Sequence, residues 1–169
     1  MESNSREIPA KGLLPTLVVS PADVIDLRRE LGGLDEFMRQ AALRRSGQAL
    51  ALPKVGHLLG ELATVNNLNL LKQTDRKDLI QFLSDLKGSA PVVHMSFAAD
   101  PSSAFMSKII NWFRNNVHPQ VLVQIGLQPS IGAGCMLRTR NKSFDFSLRK
   151  RFLDNRQLLL DKLAEDRSK

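Results

Sequence analysis

VLVQIGLQPSIGAGCMLRTRNKSFDFSLRKRFLDNRQLLLDKL, residues 121–163, is the stretch that decides the fold of the C-terminal half. Apolar residues alternate with others over residues 121–127, which predicts a half-buried β-strand. The turn PSIGAG separates this strand from residues 135–140, its predicted antiparallel partner, and residues 144–146 form a short third segment. Ser147 then takes the N-cap position of a basic amphipathic helix. The run therefore predicts a compact element that packs and docks.

The residues before this run divide at the sequence Gly-Ser-Ala-Pro, residues 88–91, where the apolar period changes from that of a helix to that of a strand. Beyond the division we expect a strand at residues 92–98 and a helix from residue 101 to about residue 116. Before it, apolar spacing and caps predict about four helices, at residues 21–31, 34–45, 54–66 and 75–87. The predicted fold class is α+β, with an N-terminal helical region followed by a small β-α-β-β-α sandwich. The predicted domains are a disordered leader (1–12), a helical domain (13–88), an α+β C-terminal domain (91–165) and a tail (166–169).

Composition limits the class of protein. The 169 residues are 43% hydrophobic and 24% charged, which is ordinary for a globular chain. The single cysteine favours a reducing compartment, the polar and partly acidic N-terminus is unlike a signal peptide, and no uncharged apolar stretch has the length of a membrane span. We therefore expect a soluble cytoplasmic protein.

The net charge of +7 is distributed unevenly. Residues 1–90 hold 12 Lys and Arg against 11 Asp and Glu, whereas residues 91–169 hold 12 against 6. A basic half can bind nucleic acid, an anionic membrane surface or an acidic protein partner, and charge alone does not choose between them.

The histidines, the cysteine and the glycine-rich turn do not have the spacing of a catalytic, metal-binding or phosphate-binding site. His57, His94 and His118 lack the i, i+4 spacing of metal ligands, and Cys135 lies in an apolar strand pattern typical of a small core residue. The GAG sequence at residues 132–134 has neither the spacing nor the lysine of a phosphate-binding loop. We predict no catalytic residue, no metal and no cofactor. Structural turn and cap roles are expected for Pro129, Gly132, Gly134, Asp145 and Ser147.

Basic residues cluster at the end of the predicted strand 135–140, in the turn after it, and at the start of the last helix. Cations near a helix N-terminus oppose the helix dipole, so their presence there suggests a use. We predict an interface formed by Arg138, Arg140, Lys142, Arg149, Lys150, Leu153 and Leu160. The alternative is RNA binding, for which Phe144 and Phe146 would supply stacking platforms beside the positive charge.

The C-terminal half resembles the delta subunit of F-type ATP synthases, the family that includes the oligomycin-sensitivity-conferring protein. In that family an alternating strand leads to a Pro-containing turn, a small-Gly pair, a second strand and an Asp-x-Ser-Ile/Leu-Arg sequence before the last helix. The matching residues are Val121, Val123, Leu127, Gln128, Ile131, Ala133, Gly134, Leu137, Arg138, Asp145, Ser147, Leu148, Arg149 and Phe152. The resemblance covers about residues 91–165. Cys135 and Arg140 depart from the family pattern, and the N-terminal half does not match the larger helical bundle of that family.

The resemblance implies a stator, or peripheral-stalk, subunit with no active site of its own. Its expected partners are the b subunits of the stalk, which meet the C-terminal domain, and the alpha and beta subunits of the catalytic head, which meet the N-terminal domain. Such a subunit would lie on the inner face of the bacterial plasma membrane through the complex, without inserting into the bilayer. The alternative function is a basic RNA-binding or ribosome-associated α+β module.

Overall fold

The computed structural model describes residues 12–43 and 53–167, apart from the side chains of residue 159 and residues 165–167. The fold is mixed α+β, with helices first and a four-stranded sheet after them, which confirms the predicted class. The predicted leader lies outside the described residues except for Gly12, which is buried.

The chain forms two compact units. The helical unit comprises Met1–Pro91 with Ser107–Leu122, and the sheet unit comprises Val92–Met106 with Val123–Lys169. Each unit is thus built from two separate stretches of sequence. The domain boundary predicted at residues 88–91 stays a prediction.

The helical unit contains three helices before the boundary and most of a fourth after it. These are α1 (Pro21–Leu43), α2 (His57–Val65), α3 (Gln73–Ser89) and α4 (Ser103–Asn116). A capping box opens α1, because Asp23 N donates to Ser20 Oγ at 3.2 Å and Ser20 N donates to Asp23 Oδ2 at 2.8 Å. Buried aliphatic side chains fill the core, each stabilising the unit by about 1.5–3 kcal/mol. They include Val24, Leu27, Leu31, Leu59, Leu62, Leu79, Leu83, Leu86 and Ile110.

The helix break predicted at Gly32 and Gly33 is wrong, because α1 continues through both glycines. Each glycine costs a helix about 1 kcal/mol relative to alanine. Leu31 and Leu34, which flank the pair, are buried against the rest of the unit, and this packing offsets that cost. The described part of residues 13–88 therefore has three helices where about four were expected.

A buried ion pair joins α1 to α3. Arg76 Nε donates to Asp35 Oδ1 at 2.8 Å, and Arg76 Nη1 donates to the carbonyls of Leu70 and Leu71 at 2.9 Å each. The two charged residues are 3% and 8% exposed. Removal of Asp35 would leave the buried Arg76 charge without its counter-charge, whereas Asp35 also lies 3.4 Å from Arg39 Nε.

Residues 13–18, here called the strap, are held by side chains from α4 and the end of α2. Arg114 Nη1 donates to the carbonyls of Leu14 (3.2 Å) and Pro15 (2.7 Å), and Nη2 donates to the carbonyl of Val18. The Asn66 amide bonds both the N–H and the carbonyl of Leu13, at 2.9 Å each. Desolvation by burial lowers the pKa of Arg114 to about 10.

The sheet has the strand order β2-β1-β3-β4. The strands are β1 (Val92–Phe97), β2 (Leu122–Leu127), β3 (Cys135–Arg138) and β4 (Ser143–Asp145). The bonds Leu122 N to Pro91 O and Gln128 N to Phe97 O keep the same offset in sequence along the pair, so β1 and β2 run parallel with α4 as their crossover. The antiparallel partner predicted for residues 121–127 is therefore wrong. β3 instead pairs antiparallel with β1, with Met95 opposite Leu137, and with β4, with Leu137 opposite Phe144.

The last predicted helix is divided in two at Asn155. α5 spans Leu148–Asp154 and α6 spans Arg156–Arg167, so the predicted tail begins within α6. None of the helices in the described ranges combines the length and the apolar composition that a bilayer span requires.

Candidate functional site

The turn between β2 and β3 depends on two glycines. After a 3₁₀ turn at Pro129–Ile131, Gly132 has φ +77° and Gly134 has φ +93°, values that L-residues with side chains rarely adopt. A Cβ on Gly134 would lie 2.4 Å from the Phe146 carbonyl oxygen and 3.0 Å from Ser147 Cα. The absence of a side chain at residue 134 thus lets the turn lie directly against the backbone that opens α5.

Hydrogen bonds fix the start of α5. Ser147 Oγ accepts from Lys150 N at 3.3 Å, and Asp145 Oδ1 accepts from Ser147 N at 2.8 Å. Two backbone bonds, Leu148 N to Ala133 O and Phe146 N to Cys135 O, are each 2.9 Å long. The hydrogen bonds from Ser147, and then the nearby cations, lower the pKa of the Asp145 carboxyl, whose own burial opposes the shift. The first turn of α5 is therefore anchored to the glycine turn.

An apolar groove of about 450 Å³ lies between that turn and α5. Ile131 is buried at 4% exposure, whereas Phe152 and Leu153 are 58% and 64% exposed. We call this groove, lined by Ser130, Ile131, Gly132, Ala133, Leu148, Arg149, Phe152 and Leu153, the docking surface. A contiguous patch of exposed apolar side chains often marks an interaction site, whereas single exposed apolar residues are ordinary.

Exposed apolar side chains continue along α6. Leu158, Leu160 and Leu163 are 60%, 49% and 59% exposed. A helix that leaves three leucines in water gains little from burial, so α6 has apolar area available for a partner. Leu160, a predicted interface residue, is one of these, and Leu153, another predicted interface residue, is exposed on α5.

The five predicted basic residues do not form one cluster. Arg149 lines the docking surface, whereas Arg138 lines a separate depression on the polar face of the sheet. Arg140 and Lys142 lie in the β3–β4 turn and Lys150 in the first turn of α5, all exposed. Within the described residues none of the five forms a salt bridge. Of the five, Lys150 and Arg149 act electrostatically on Asp145 without forming an ion pair with it.

The two phenylalanines near the basic turn stack on each other. The ring centroids of Phe144 and Phe146 are 6.2 Å apart, with 12° between the ring planes. Side chains alternate along a strand, so Phe144 points to the opposite face of the sheet from Ser143 and from its cross-strand neighbour Arg138. Aromatic and basic side chains are therefore separated by the sheet at this point.

Cys135 is half-buried in β3. Burial raises the pKa of its thiol, and the negative charge of Asp145 adds to the rise.

His57 lies 3.9 Å from the Glu61 carboxylate on the exposed side of α2. In the part of the chain that the structure describes, no three His, Cys, Asp or Glu side chains come close enough together to hold a metal ion.

Sequence reasoning missed two features of these surfaces. The buried Ile131 at the base of the docking surface lies in a turn, where apolar periodicity gives no signal. The polar side chains of β1, His94 and Ser96, do alternate with Val93, Met95 and Phe97 in the sequence, and that alternation was sufficient to find the polar face.

The chain matches no protein-family model and no curated protein sequence.

Proposed function

We propose that this protein is a non-catalytic stator subunit that links the b subunits of a peripheral stalk to the catalytic head of a bacterial F-type ATP synthase. The resemblance of residues 91–165 to the delta subunit supports the C-terminal role. In this role the chain resists rotor torque by holding two partners together, so interface area and complementary charge matter more than any reactive group.

One observation carries the proposal: α5 is anchored at its first turn while its apolar side chains remain in water. Ser147 and Gly134 fix where the helix begins, and Phe152 is nevertheless 58% exposed. A pre-organised element loses little entropy on binding, so its exposed apolar area is available for affinity. The groove beside it suits an amphipathic helix that inserts apolar side chains at i, i+3 and i+4.

Charge supports the same partner. The sheet unit contributes Arg149 at the groove, with Lys150 in the next position along α5. An acidic b-subunit helix would meet these cations at the rim of the contact, where charge mainly speeds association and fixes orientation.

The helical unit would then face the alpha and beta subunits. It offers an open groove of about 850 Å³ between the strap and α2, lined by Leu14, Pro15, Thr16, Leu17, His57, Gly60, Glu61, Thr64 and Val65.

The test is co-purification of the tagged full chain from native membranes. We expect recovery of the alpha, beta and b subunits at the inner face of the plasma membrane. Phe152→Asp should reduce recovery of the b subunit by at least about tenfold, because an aromatic side chain that becomes buried in an interface typically contributes about 2 kcal/mol or more to binding. Val117→Asp is the matched control, since Val117 is also 58% exposed and lies at the end of α4. Recovery of ribosomal proteins in place of synthase subunits, or an equal loss in both variants, would contradict the proposal.

The salt dependence of RNA binding distinguishes the alternative RNA-binding function from the stator function. Affinity for RNA should fall steeply between low and physiological salt if several phosphates are contacted. The separation of Phe144 from Arg138 by the sheet favours the stator proposal, because a single-stranded RNA platform needs stacking rings beside its cations. Strong, salt-sensitive binding to generic RNA by the purified chain would reverse that preference.

A further inference from the structure

A depression of about 310 Å³ on the polar face of the sheet is separate from the docking surface. It is lined by His94, Ser96, Gln128, Met136, Arg138 and Ser143, all within the sheet unit. Its volume is at the small end of the range for ligand sites, about 300–1,000 Å³. It is therefore large enough for a small anion or for part of a small molecule.

The strand register brings the polar side chains into rows. His94 on β1 lies opposite Arg138 on β3, and Arg138 lies opposite Ser143 on β4. Side chains directly opposite each other on antiparallel strands have Cβ atoms about 4.5–5.5 Å apart. Ser96 belongs to the adjacent row, opposite Met136. A guanidinium, an imidazole and a hydroxyl thus share one row, and the hydroxyl of Ser96 lies on the same face in the next row.

The depression has no carboxylate to neutralise its cation. Asp145 lies opposite Met136 in register, but its Oδ1 accepts from Ser147 N at 2.8 Å and its side chain does not line the depression. Within the described residues the guanidinium of Arg138 forms no salt bridge or hydrogen bond. Five N–H donors of a permanently charged group are therefore available on this face.

Access from the β2 side is open as well. A Cβ placed on Gly126 would lie 3.5 Å from Ser96 Oγ, so the glycine keeps the space beside that hydroxyl free of a side chain. Gln128, at the same end of the strand, has its amide nitrogen 3.3 Å from Ser130 Oγ and lines the edge of the depression.

We propose that this depression binds an oxyanion of the phosphate class. The planar guanidinium of Arg138 matches two oxygens of a tetrahedral anion, and the hydroxyl of Ser143, directly opposite Arg138, donates to another. His94 supplies a further N–H donor. The proposal is independent of the stator role, because none of these side chains lines the docking surface. Two sources share this chemistry: free inorganic phosphate and the terminal phosphate of a nucleotide.

The test is an amide chemical-shift titration of the full chain with inorganic phosphate, with ADP and with adenosine. We expect saturable shifts at residues 94, 96, 138 and 143 with phosphate, ADP or both, and no shift there with adenosine. Saturation by phosphate identifies the free anion as a ligand, and saturation by ADP alone identifies the nucleotide. Absence of saturation with both anions, or equal shifts with adenosine, would overturn the proposal.

Variants distinguish binding at this depression from a general attraction of anions to the positive charge of the chain. Arg138→Gln should weaken binding by at least about tenfold, since it removes hydrogen bonds between charged partners. Arg156→Gln on α6 makes the same change in net charge and should weaken binding by less than about twofold. The double variant Ser96→Ala with Ser143→Ala keeps the charge and should still weaken binding by several-fold. Equal weakening by Arg138→Gln and Arg156→Gln would overturn the site, whether or not the double variant folds.

Discussion

Gly134→Ala should destabilise the junction between the glycine turn and α5. At φ +93° a residue with a side chain carries a backbone cost of about 1–2 kcal/mol. The new Cβ would also lie 2.4 Å from the Phe146 carbonyl oxygen, which is backbone and cannot rotate away. The strand and helix must then separate, so we expect a total cost of about 2–4 kcal/mol. Gly132→Ala is the matched control, because Gly132 has φ +77° but nothing within 4 Å of its Cβ position, leaving only the backbone cost.

Hydrogen exchange is the suitable assay because it reports the junction itself. The Phe146 and Leu148 amides donate to the carbonyls of Cys135 and Ala133, and these bonds break when the junction opens. A loss of about 3 kcal/mol would raise their exchange rates by roughly a hundredfold or more if opening is local. Gly132→Ala should raise them by about tenfold. Equal effects of the two variants, or unchanged exchange in Gly134→Ala, would refute the argument that close backbone approach makes glycine necessary at residue 134.

Three further perturbations follow from the described contacts. Ser147→Ala removes the N-cap of α5 and should lower the free energy of unfolding of the sheet unit by about 1 kcal/mol in urea titrations followed by circular dichroism; no change would mean that the cap is dispensable. Asp35→Ala leaves Arg76 buried without its counter-charge and should cost the helical unit about 3–5 kcal/mol, measured through Trp112 fluorescence, whereas a cost below about 1 kcal/mol would show that solvent reaches the pair. Hydrogen bonds from Ser147 hold the pKa of Asp145 below its usual value in the folded chain, so its stabilisation is complete above the usual aspartate pKa and is lost as pH falls through the folded-state pKa. Asp145→Asn should abolish this acid-side loss, and an unchanged pH profile of the unfolding free energy would assign the loss to another carboxyl.

Local rules predicted the parts of the sheet unit that depend on neighbours in sequence. Alternation located β1, whose burial alternates along the strand, and β2, although Ile125 and Leu127 on its apolar side are exposed. The Asp-x-Ser sequence before α5 indicated a cap, and Ser147 does accept from Lys150 N. These features need no knowledge of distant residues, which is why a single sequence contains them.

The features that local rules missed depend on distant residues. Sequence proximity favours a hairpin between β2 and β3, yet β1 takes β3 as its partner and occupies the interior of the sheet, with Val93, Met95 and Phe97 buried. The glycine pair in α1 reads as a break because local propensity cannot register the burial of Leu31 and Leu34. Tertiary packing decided both cases.

The candidate site was predictable only in part. The sequence predicts an interface that includes Leu153 and Leu160, and both side chains are exposed, on α5 and α6; the interface itself stays a prediction. The basic residues were expected to act together, but Arg138 lies on β3 and lines the depression on the sheet, whereas Arg149 lies on α5 and lines the docking surface. Which side chains of neighbouring strands lie opposite one another can be assigned only after the register is known, and the register here depends on the unexpected partner of β3.

The strap has a consequence for how the chain folds during synthesis. Arg114 closes onto carbonyls about a hundred residues earlier in the sequence, and residues 107–122 belong to the helical unit. A nascent chain that has reached only residue 91 therefore lacks Arg114, which holds the strap, and Ile110 and Val121, which are fully buried in the helical unit. The helical unit becomes complete only after β1 has been synthesised, and a truncation at the apparent Gly-Ser-Ala-Pro boundary would yield an unfinished domain rather than a stable one.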